Sequence, residues 1–542
     1  MHLKRVTNKY RGETRVYAQI VQSVRREDGQ VTQDVMKSLG RAKSEEEWNR
    51  AESIPETMRK AEKLVRLKEL EIKHQLELGG IWVGDEIWRE VGVGAALASS
   101  FSERKTGFDL ERIVFLLVVN RLYKPSSDWS ALRWINEKAY TQMRAKKQWI
   151  YRSLDVLVEG KDRIENSLFE NLKESLDLSL DLVLYDLTSS YFEGVGPKLA
   201  MYGYSRDHRP DRKQLVLGVV MADGIPIAHR VWAGNTADKS TLKEVVADLR
   251  ERFGIRKGKV VLVADRGVVS LPNLGELEEI GYDYVFSTRR RRDRLVEGLL
   301  VKDVSGSGRL RAEEVHSTGG RRYILCLDEE TREARLKTLR HVREEAGEKL
   351  HALRERYKKS GSGKSRGRPM TRKSARQRVD KILGTSKRLF DVTVDATVKW
   401  ELNEEAWRYE RAIAGKFLLV TTSDLEPLQA MESYKDLKDV EQAFDELKNL
   451  LKLRPIYHRV DKRVKGHVFI CILALLLKRL MEKKTGLMFR EIMKKLERLK
   501  VNVIEVEGEE IYQRNQINHG QKEILKELAV EKPPKILTEP KM

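Results

Sequence analysis

Cysteine is nearly absent from this sequence. The 542 residues include only Cys326 and Cys471, which excludes a disulfide framework and a structural zinc site built mainly from cysteine. Long apolar runs are missing as well, since the longest uncharged one, Val468 to Leu477, has ten residues and is too short to cross a bilayer. The N-terminal residues contain no apolar segment that could act as a secretory signal. We therefore expect a soluble, cytoplasmic protein with reduced thiols and no membrane contact.

Acidic residues are outnumbered by basic ones. Lys and Arg total 104, Asp and Glu total 83, and the formal net charge is +21. An excess of this size favours a polyanionic partner, most simply nucleic acid. An anionic membrane surface would require a basic amphipathic helix beside an anchor, and the sequence contains neither. Apolar residues make up 40% of the chain, which predicts a folded protein, and the length allows about two to four domains.

The first third of the chain is predicted to be mostly helical after a small β element. Asp28-Gly29, between two β-rich runs, predicts a hairpin. Residues 44–78 have the charge pattern of a solvated helix, and Leu110–Tyr123 is apolar on most sides, which predicts a buried helix. We assign 1–176 to an N-terminal hairpin and helical region.

After the N-terminal region, the sequence pattern changes from helices to strands. Strands are predicted over residues 181–192, 214–222, 225–234, 259–267 and 282–290. Helices are predicted between the later strands, over Ser240–Phe253 and Leu271–Ile280. Three consecutive strands followed by strands that alternate with helices predict an α/β fold, with a mixed sheet flanked by helices.

A basic β/α insertion is predicted to interrupt this core. Residues 351–390 hold 14 Lys or Arg against two acids. Such a run is commonly a solvated face, but the near absence of acids favours contact with a polyanion. A further strand at 416–423 and helices over Tyr434–Leu451 and Lys465–Lys484 resume the core pattern. The predicted divisions after the N-terminal region are a first core part at 177–293, the insertion at 294–412, a second core part at 413–485 and a C-terminal tail at 486–542.

Three carboxylates stand out by their positions. Asp186 and Asp265 each follow an apolar strand segment, and two such acids in one sheet favour a site at the strand ends. Either one alone could simply begin a turn. Tyr434, Glu441 and Lys448 are spaced by seven residues and would share one helix face. This face suits a metal and a phosphate backbone, although a Glu-Lys row is also common on surface helices.

These segments together resemble a known family. The pattern DLTSSYFEG, YGYSRDHRPDRKQLVLGVV, GIP with WAGNT, VVLVADRGVVS and SYKDLKDVEQAFDELK is similar to the insertion-sequence DDE transposases with the Tyr-Arg-Glu-Lys signature. The resemblance covers about residues 180–485 and implies an RNase H-like catalytic core interrupted by an insertion before the helix that carries the last acid.

The resemblance also implies roles for individual residues. Asp186, Asp265 and Glu441 match the catalytic, metal-binding triad, and Tyr434 and Lys448 match two signature positions. The signature Arg, three residues after the Tyr, is replaced by Leu437, and Lys435 or Lys438 could supply that phosphate contact instead.

The chemistry implied is metal-dependent. Phosphodiester cleavage and strand transfer are in-line displacements that two Mg²⁺ ions about 3.5–4 Å apart can serve at both ends, with Mn²⁺ able to substitute. Mg²⁺ prefers oxygen ligands, so three carboxylates with substrate phosphate suffice. We expect Asp186 to be the bridging ligand.

Basic and aromatic residues near these motifs are candidate DNA contacts. They are Arg206, His208, Arg209 and Lys213 between the first two strands, then Trp232, Arg266, Arg289, Arg290 and Arg291. The first group could instead be a solvated loop, and Trp232 is more often a core residue than a stacking platform.

The sequence thus predicts a DNA transposase that cleaves at insertion-sequence ends and transfers strands into target DNA, by a cut-and-paste route. The expected partners are double-stranded DNA carrying terminal inverted repeats, target DNA and a second copy of the chain, at the nucleoid. End recognition is expected from the N-terminal region with help from the insertion. A plain RNase H-like nuclease and a domesticated DNA-binding protein that has lost catalysis are the alternatives.

Overall fold

The computed structural model begins with a small sheet. It describes residues 2–10, 13–26, 30–41, 44, 47–48, 51, 54, 71–102, 106–176, 178, 181–253, 261–265, 271–288, 293–361, 369–506 and 508–538. Strands β1 (His2–Tyr10), β2 (Glu13–Arg25) and β3 (Val31–Arg41) form an antiparallel sheet in that order. The predicted hairpin is β2 and β3, and β1 adds a strand that the sequence did not indicate.

Six helices follow a fourth strand, β4 (Glu71–Glu77). They are α1 (Gly79–Glu90), α2 (Val93–Ser100), α3 (Leu110–Tyr123), α4 (Asp128–Glu137), α5 (Lys147–Glu159) and α6 (Lys161–Leu176). Helix α3 is confirmed as a buried helix at its predicted bounds. The helix predicted over 44–78 is wrong where β4 forms, and most of its other residues lie outside the described ones.

The central sheet starts with five strands and two helices. They are β5 (Leu182–Tyr191), β6 (Gln214–Ala222), β7 (Ile225–Ala233), α7 (Asp238–Glu251), β8 (Val261–Ala264), α8 (Leu271–Ile280) and β9 (Asp283–Ser287). The order across the sheet is β7-β6-β5-β8-β9. Strand β6 is antiparallel to β5 and β7, while β8 is parallel to β5 and β9. The predicted RNase H-like mixed sheet is confirmed.

The predicted insertion divides between this sheet and a separate core. Its elements are α9 (Arg294–Leu300), β10 (Leu310–Thr318), β11 (Arg321–Asp328), α10 (Glu329–Gly361), α11 (Arg372–Leu383), a 3₁₀ turn (Gly384–Leu389), β12 (Phe390–Val394), β13 (Val398–Leu402) and α12 (Glu404–Ala412). Leu350, Val379 and Trp407 belong to a hydrophobic cluster of α10 to α12 that is distinct from the main core. Strands β10 and β11 instead extend the central sheet.

The chain then returns to the sheet through β14 (Lys416–Thr421). This strand lies between β11 and β9, so the full sheet has the order β10-β11-β14-β9-β8-β5-β6-β7. Helices α13 (Pro427–Lys435) and α14 (Leu437–Asp445) follow, then a π-helical segment, Glu446–Leu450. The helix predicted over Tyr434–Leu451 is confirmed in outline, but it is divided at Asp436 and its last turn is π-helical.

The C-terminal part consists of regular helices and strands, including residues assigned to a tail from the sequence. It contains α15 (Asp461–Thr485), α16 (Phe489–Leu496), β15 (Lys500–Val506), β16 (Glu509–Arg514), α17 (His519–Glu527) and β17 (Ile536–Leu537). Strand β15 pairs with β4 near the other end of the sequence. Helix α15 packs on α3, α5 and β7 and so connects the N-terminal helices with the central sheet. Although α15 is long, neither it nor any other helix among the described residues has an apolar stretch that could span a bilayer.

Candidate active site

The register of two parallel strands brings Asp186 and Asp265 together. Tyr185 on β5 pairs with Ala264, the last residue of β8. The next residue on each strand is an aspartate, so the two carboxylates lie side by side where β8 ends. Strand β5 continues past this point, and Asp186 therefore lies in the middle of a strand rather than at its end.

Glu441 reaches the same place from helix α14. The helix buries Leu437, Val440 and Phe444 and packs against β5 and β6. Glu441 is on the opposite, exposed face of the helix. The amphipathic pattern of α14 thus sets the direction of its carboxylate, which turns toward the end of β8.

One cleft of about 380 Å³ contains all three predicted acids. Its walls are formed by Asp186, Leu187, Thr188, Arg206, Asp207, Asp238, Asp265, Glu441, Phe444, Asp445, Lys448, Asn449 and Arg454. Besides the three predicted acids, the lining includes the cations of Arg206, Lys448 and Arg454, which pair with Asp238 and Asp207 of the same cleft. Carboxylate oxygens grouped in this way are the ligands that hard divalent cations prefer.

Burial and nearby negative charge change the pKa of Asp186. Burial, followed by the repulsion from Asp265 and Glu441, raises the pKa of Asp186 to about 7, although the nearby Arg206 acts in the opposite direction. A carboxyl group that resists ionisation chiefly because it is buried, with further carboxylates beside it, fits a site where a divalent cation would supply positive charge. The donor set therefore fits a divalent metal.

Tyr434 is linked to a catalytic candidate rather than pointing to open solvent. Its phenol donates a hydrogen bond to Asp265 Oδ1 at 2.9 Å. The two proposed substitutes for the signature arginine differ in environment. Lys435 pairs with Asp328 Oδ2 at 2.6 Å, Lys438 is exposed, and neither lines the cleft, while Leu437 is buried.

Lys448 is a cleft residue, but it is not a free surface cation. Its side chain is 9% exposed and its Nζ lies 2.7 Å from Asp207 Oδ1, which also accepts from Arg454 at 2.5 Å. Sequence reasoning missed Asp207, Asp238 and Arg454. The motif that contains Arg206 and His208 was the only signal that could have drawn attention to Asp207.

The other candidate DNA contacts have varied settings. Arg206 pairs with Asp238 at 2.6 Å in the cleft, whereas Arg209 pairs with Asp211 outside it. His208 is exposed, and Lys213 is partly buried. Arg266, Arg289, Arg290 and Arg291 lie outside the described residues.

Trp232 is packed against the sheet. Its indole N–H donates to Glu244 Oε2 at 3.1 Å, and its ring covers Gly218 of β6. The ring is partly exposed, but these contacts favour the packing interpretation over the stacking one.

A second group of possible metal ligands lies apart from the cleft. Asp128, His458 and His467 offer ligand atoms within 4.8 Å of one another. However, His467 Nδ1 faces the guanidinium of Arg121 at 3.3 Å, and His467 Nε2 contacts the carbonyl of Leu453 at 3.1 Å. A buried guanidinium in this position opposes a cation, so the carboxylate cleft is the better metal candidate.

Two family models match parts of the chain. Residues 180–477 match the family model described as transposase DDE domain, and residues 3–68 match the model of the IS1634 family transposase N-terminal domain. Among solved structures, the chain is similar to piggyBac transposase in a cryo-EM synaptic complex with hairpin DNA. The identity is 12%, the TM-score is 0.35, and 77% of this chain and 78% of that one are covered. No curated protein sequence matches the chain.

Proposed function

This chain belongs to the family of transposases with a DDE domain, and we propose that it cleaves DNA at the ends of an insertion sequence and transfers those ends into target DNA. The observation that carries the proposal is the meeting of Asp186, Asp265 and Glu441 in one cleft. Asp186 lies on β5, Asp265 follows β8 and Glu441 lies on α14, and no structural requirement of the sheet explains three carboxylates in one cleft.

The metal proposed for this cleft is a pair of Mg²⁺ ions, which Mn²⁺ can replace. Asp186, Asp265 and Glu441 would hold them. When bound, the ions would activate the attacking water or 3′-hydroxyl and stabilise the leaving oxygen. The chain's own contribution is to orient the ligands, as Tyr434 does for Asp265, and to place cations near the DNA backbone.

We propose DNA contacts both inside the cleft and outside it. Arg206 and Lys448 line the cleft and are placed to meet phosphates near the scissile bond. His208, Arg209 and Lys213 follow in the same loop region, and the basic insertion extends the positive surface. Recognition of the terminal repeats is assigned to the N-terminal region, which includes the part that matches the IS1634 N-terminal domain.

The proposed oligomeric state and the proposed route of transposition follow from the reaction. Two element ends must be held together during cut-and-paste transposition, so we propose a homodimer on DNA. The reaction would take place on cytoplasmic, nucleoid DNA. These proposals rest on the chemistry of paired ends rather than on an interface in the structure.

The decisive experiment is cleavage of labelled DNA that carries the element's own ends, with Mg²⁺ or Mn²⁺. Wild type should nick at the end boundary only with metal, and Glu441→Gln should abolish nicking. Glu432→Gln is the matched control, because Glu432 is an exposed glutamate on the neighbouring helix α13. Cleavage that survives Glu441→Gln would mean that the active site lies elsewhere.

The same assay separates the alternatives. A plain nuclease would cut but fail to join paired ends to a target duplex. A domesticated DNA-binding protein would bind the ends without cutting in either form. Joined products from wild type, absent with Glu441→Gln, would exclude both.

A further inference from the structure

The loop between β5 and β6 places Asp207 between two cations in the cleft wall. The side chain of Asp207 is 3% exposed, and its Oδ1 accepts from Lys448 Nζ at 2.7 Å and from Arg454 Nη1 at 2.5 Å. Its Oδ2 is buried and has no hydrogen-bond partner among the described residues. A buried carboxylate oxygen without a partner costs stability, so its retention calls for an explanation in function.

The loop is built to keep Asp207 in this position. The backbone N–H of Arg206 donates to Ser189 Oγ on β5 at 2.8 Å, which fixes the residue before Asp207 to the central sheet. The residue after it, His208, has a φ of 55°, in the left-handed region that non-glycine residues rarely adopt. Such a conformation persists only where the surrounding structure enforces it. Asp207 is therefore held from both sides.

One partner of Asp207, Lys448, also lies in unusual local structure. Lys448 lies in the π-helical segment Glu446–Leu450, and π-helical turns inside helices are frequent at functional sites. Burial lowers the pKa of Lys448, and the carboxylate of Asp207 opposes this effect. Because one carboxylate is shared by two cations, the group of Asp207, Lys448 and Arg454 keeps a net positive charge in the cleft that also contains the three predicted acids.

We propose that Asp207 is a positioning residue, which holds Lys448 and Arg454 in the orientation that receives a phosphate group of the bound DNA strand. Asp207 itself does not contact the reacting atoms. The inference rests on the proposed function, because the phosphate belongs to the DNA substrate. The inference extends the proposed function, because it assigns a further carboxylate of the cleft to the cations rather than to the metal.

A competing explanation is that Asp207 only neutralises buried charge. The two explanations differ for Asp207→Asn, which keeps the shape and removes the charge. If Asp207 only neutralises, the variant gains one positive charge in the cleft, so it should bind duplex DNA more tightly, with a steeper dependence of affinity on salt. If Asp207 positions the cations, the variant should bind no more tightly than wild type and should cut more slowly.

The test combines single-turnover nicking at saturating protein with duplex affinity at several salt concentrations. We expect Asp207→Asn to lower the nicking rate roughly 10- to 100-fold, because small misplacement of groups that position substrate has effects of this size. Asp211→Asn is the control, since Asp211 is an exposed acid of the same loop that pairs outside the cleft. It should cut at the wild-type rate.

The double variant Asp207→Asn with Lys448→Gln makes the test independent of folding. If the two residues act as a unit, the double variant should cut about as slowly as Lys448→Gln alone, because coupled residues are not additive. The same comparison serves if Asp207→Asn alone does not fold. Additive losses, or an Asp207→Asn protein that cuts at the wild-type rate or binds DNA more tightly, would overturn the inference.

The failure of this inference can be distinguished from failure of the proposed function. If wild type binds but does not cut, the proposed function fails, and the salt dependence of binding by Asp207→Asn still separates positioning from neutralisation. If wild type cuts, Glu441→Gln does not, and Asp207→Asn cuts normally, only the role of Asp207 is wrong.

Discussion

The phenol of Tyr434 donates a hydrogen bond to Asp265 Oδ1 across 2.9 Å, and this contact joins helix α13 to the end of strand β8. The two residues are 169 positions apart in the sequence. Strand β8 ends at Ala264, one residue before Asp265, so the tyrosine provides a restraint on the aspartate carboxylate from outside the strand. We infer that Tyr434 orients a metal ligand, as hydrogen-bonding partners commonly do.

Tyr434→Phe should lower metal-dependent nicking without preventing DNA binding. Partners of metal ligands typically contribute 10- to 100-fold to metal affinity or activity, so we expect a loss of about that size, partly restored at high Mn²⁺. Nicking rates measured across a metal titration would show it. Tyr357→Phe is the control, because that hydroxyl donates to the carbonyl of Asp395 in the insertion. A Tyr434→Phe protein with the wild-type metal dependence would contradict the proposed role.

Asp186→Asn should stabilise the metal-free protein at alkaline pH. The pKa of Asp186 rises from an ordinary value near 3.8 to about 7 on folding. The folded protein therefore keeps a proton that the unfolded chain releases, and stability is lost as the pH rises through 7. Three pKa units correspond to about 4 kcal/mol. The asparagine mimics the protonated acid, so its advantage should grow from pH 5 to pH 8.

Urea denaturation in EDTA at several pH values would measure this difference. Asp424→Asn serves as the control because Asp424 is exposed and outside the cleft. Added Mn²⁺ should stabilise wild type at pH 8 and have little effect on Asp186→Asn, since a ligand stabilises only the state that binds it. A variant that is equally stable or less stable at pH 8 would show that Asp186 is not under electrostatic strain.

Local patterns predicted most elements of the core, but not their long-range pairing. The bounds of α3 and the strands of the central sheet follow from apolar periodicity and turn residues, which are local properties. The pairing of Tyr185 with Ala264, which brings Asp186 and Asp265 together, depends on a register that no local pattern encodes. The pairing of β15 with β4 is hidden for the same reason.

The candidate site was likewise predicted only in part, because individual residues could be recognised from the sequence but their long-range contacts could not. The acids could be found because carboxylates after apolar strands are unusual. Asp207 and Lys448 could not be connected from the sequence, because 241 residues separate them and a charged pair in a basic chain has no distinctive pattern. The common direction predicted for Tyr434, Glu441 and Lys448 agrees with the structure, in which Tyr434 contacts Asp265 while Glu441 and Lys448 line the same cleft, although the helix is divided at Asp436 and becomes π-helical at Glu446.

Glu165→Gln should destabilise the junction between helix α6 and strand β7. Glu165 is 4% exposed; although burial alone would raise its pKa, Lys161, His229 and Arg252 hold that pKa well below the usual range. The carboxylate therefore stabilises the fold at neutral pH, and this contribution is lost only as the pH falls below about 4.5. Removing it breaks the ion pairs of Lys161 and Arg252 with a buried carboxylate, and breaking a buried pair costs about 3–5 kcal/mol.

Urea denaturation at pH 7 would test this loss. Glu170→Gln on the same helix is the control, because Glu170 is exposed and should change stability by less than about 0.5 kcal/mol. If Glu165→Gln unfolds at the wild-type urea concentration, the buried cluster is not a structural link between the N-terminal helices and the sheet.

Lys435→Gln should affect stability rather than DNA binding. Lys435 pairs with Asp328 at 2.6 Å, and its side chain is 24% exposed. We expect a loss of about 1 kcal/mol, which Asp328→Asn should reproduce. If Lys435 instead replaced the signature arginine at a phosphate, the slope of log affinity against log salt would fall by about one. Salt titrations of duplex binding by Lys435→Gln and Lys438→Gln would decide which lysine, if either, meets the DNA.

Trp232 offers a direct test between packing and base stacking. A Cβ at Gly218 would lie 2.8 Å from the Trp232 ring and 3.0 Å from the Tyr185 ring, so Gly218→Ala should cost about 1–3 kcal/mol by overpacking. Trp232→Phe keeps an aromatic ring over Gly218 but removes the hydrogen bond to Glu244. If Trp232 is a packing residue, Trp232→Phe should lower stability by about 1 kcal/mol and leave cleavage of both DNA strands unchanged. A variant with wild-type stability that nicks the first strand but fails to process the second would instead establish Trp232 as a stacking residue, since an extruded base depends on the area and orientation of the indole.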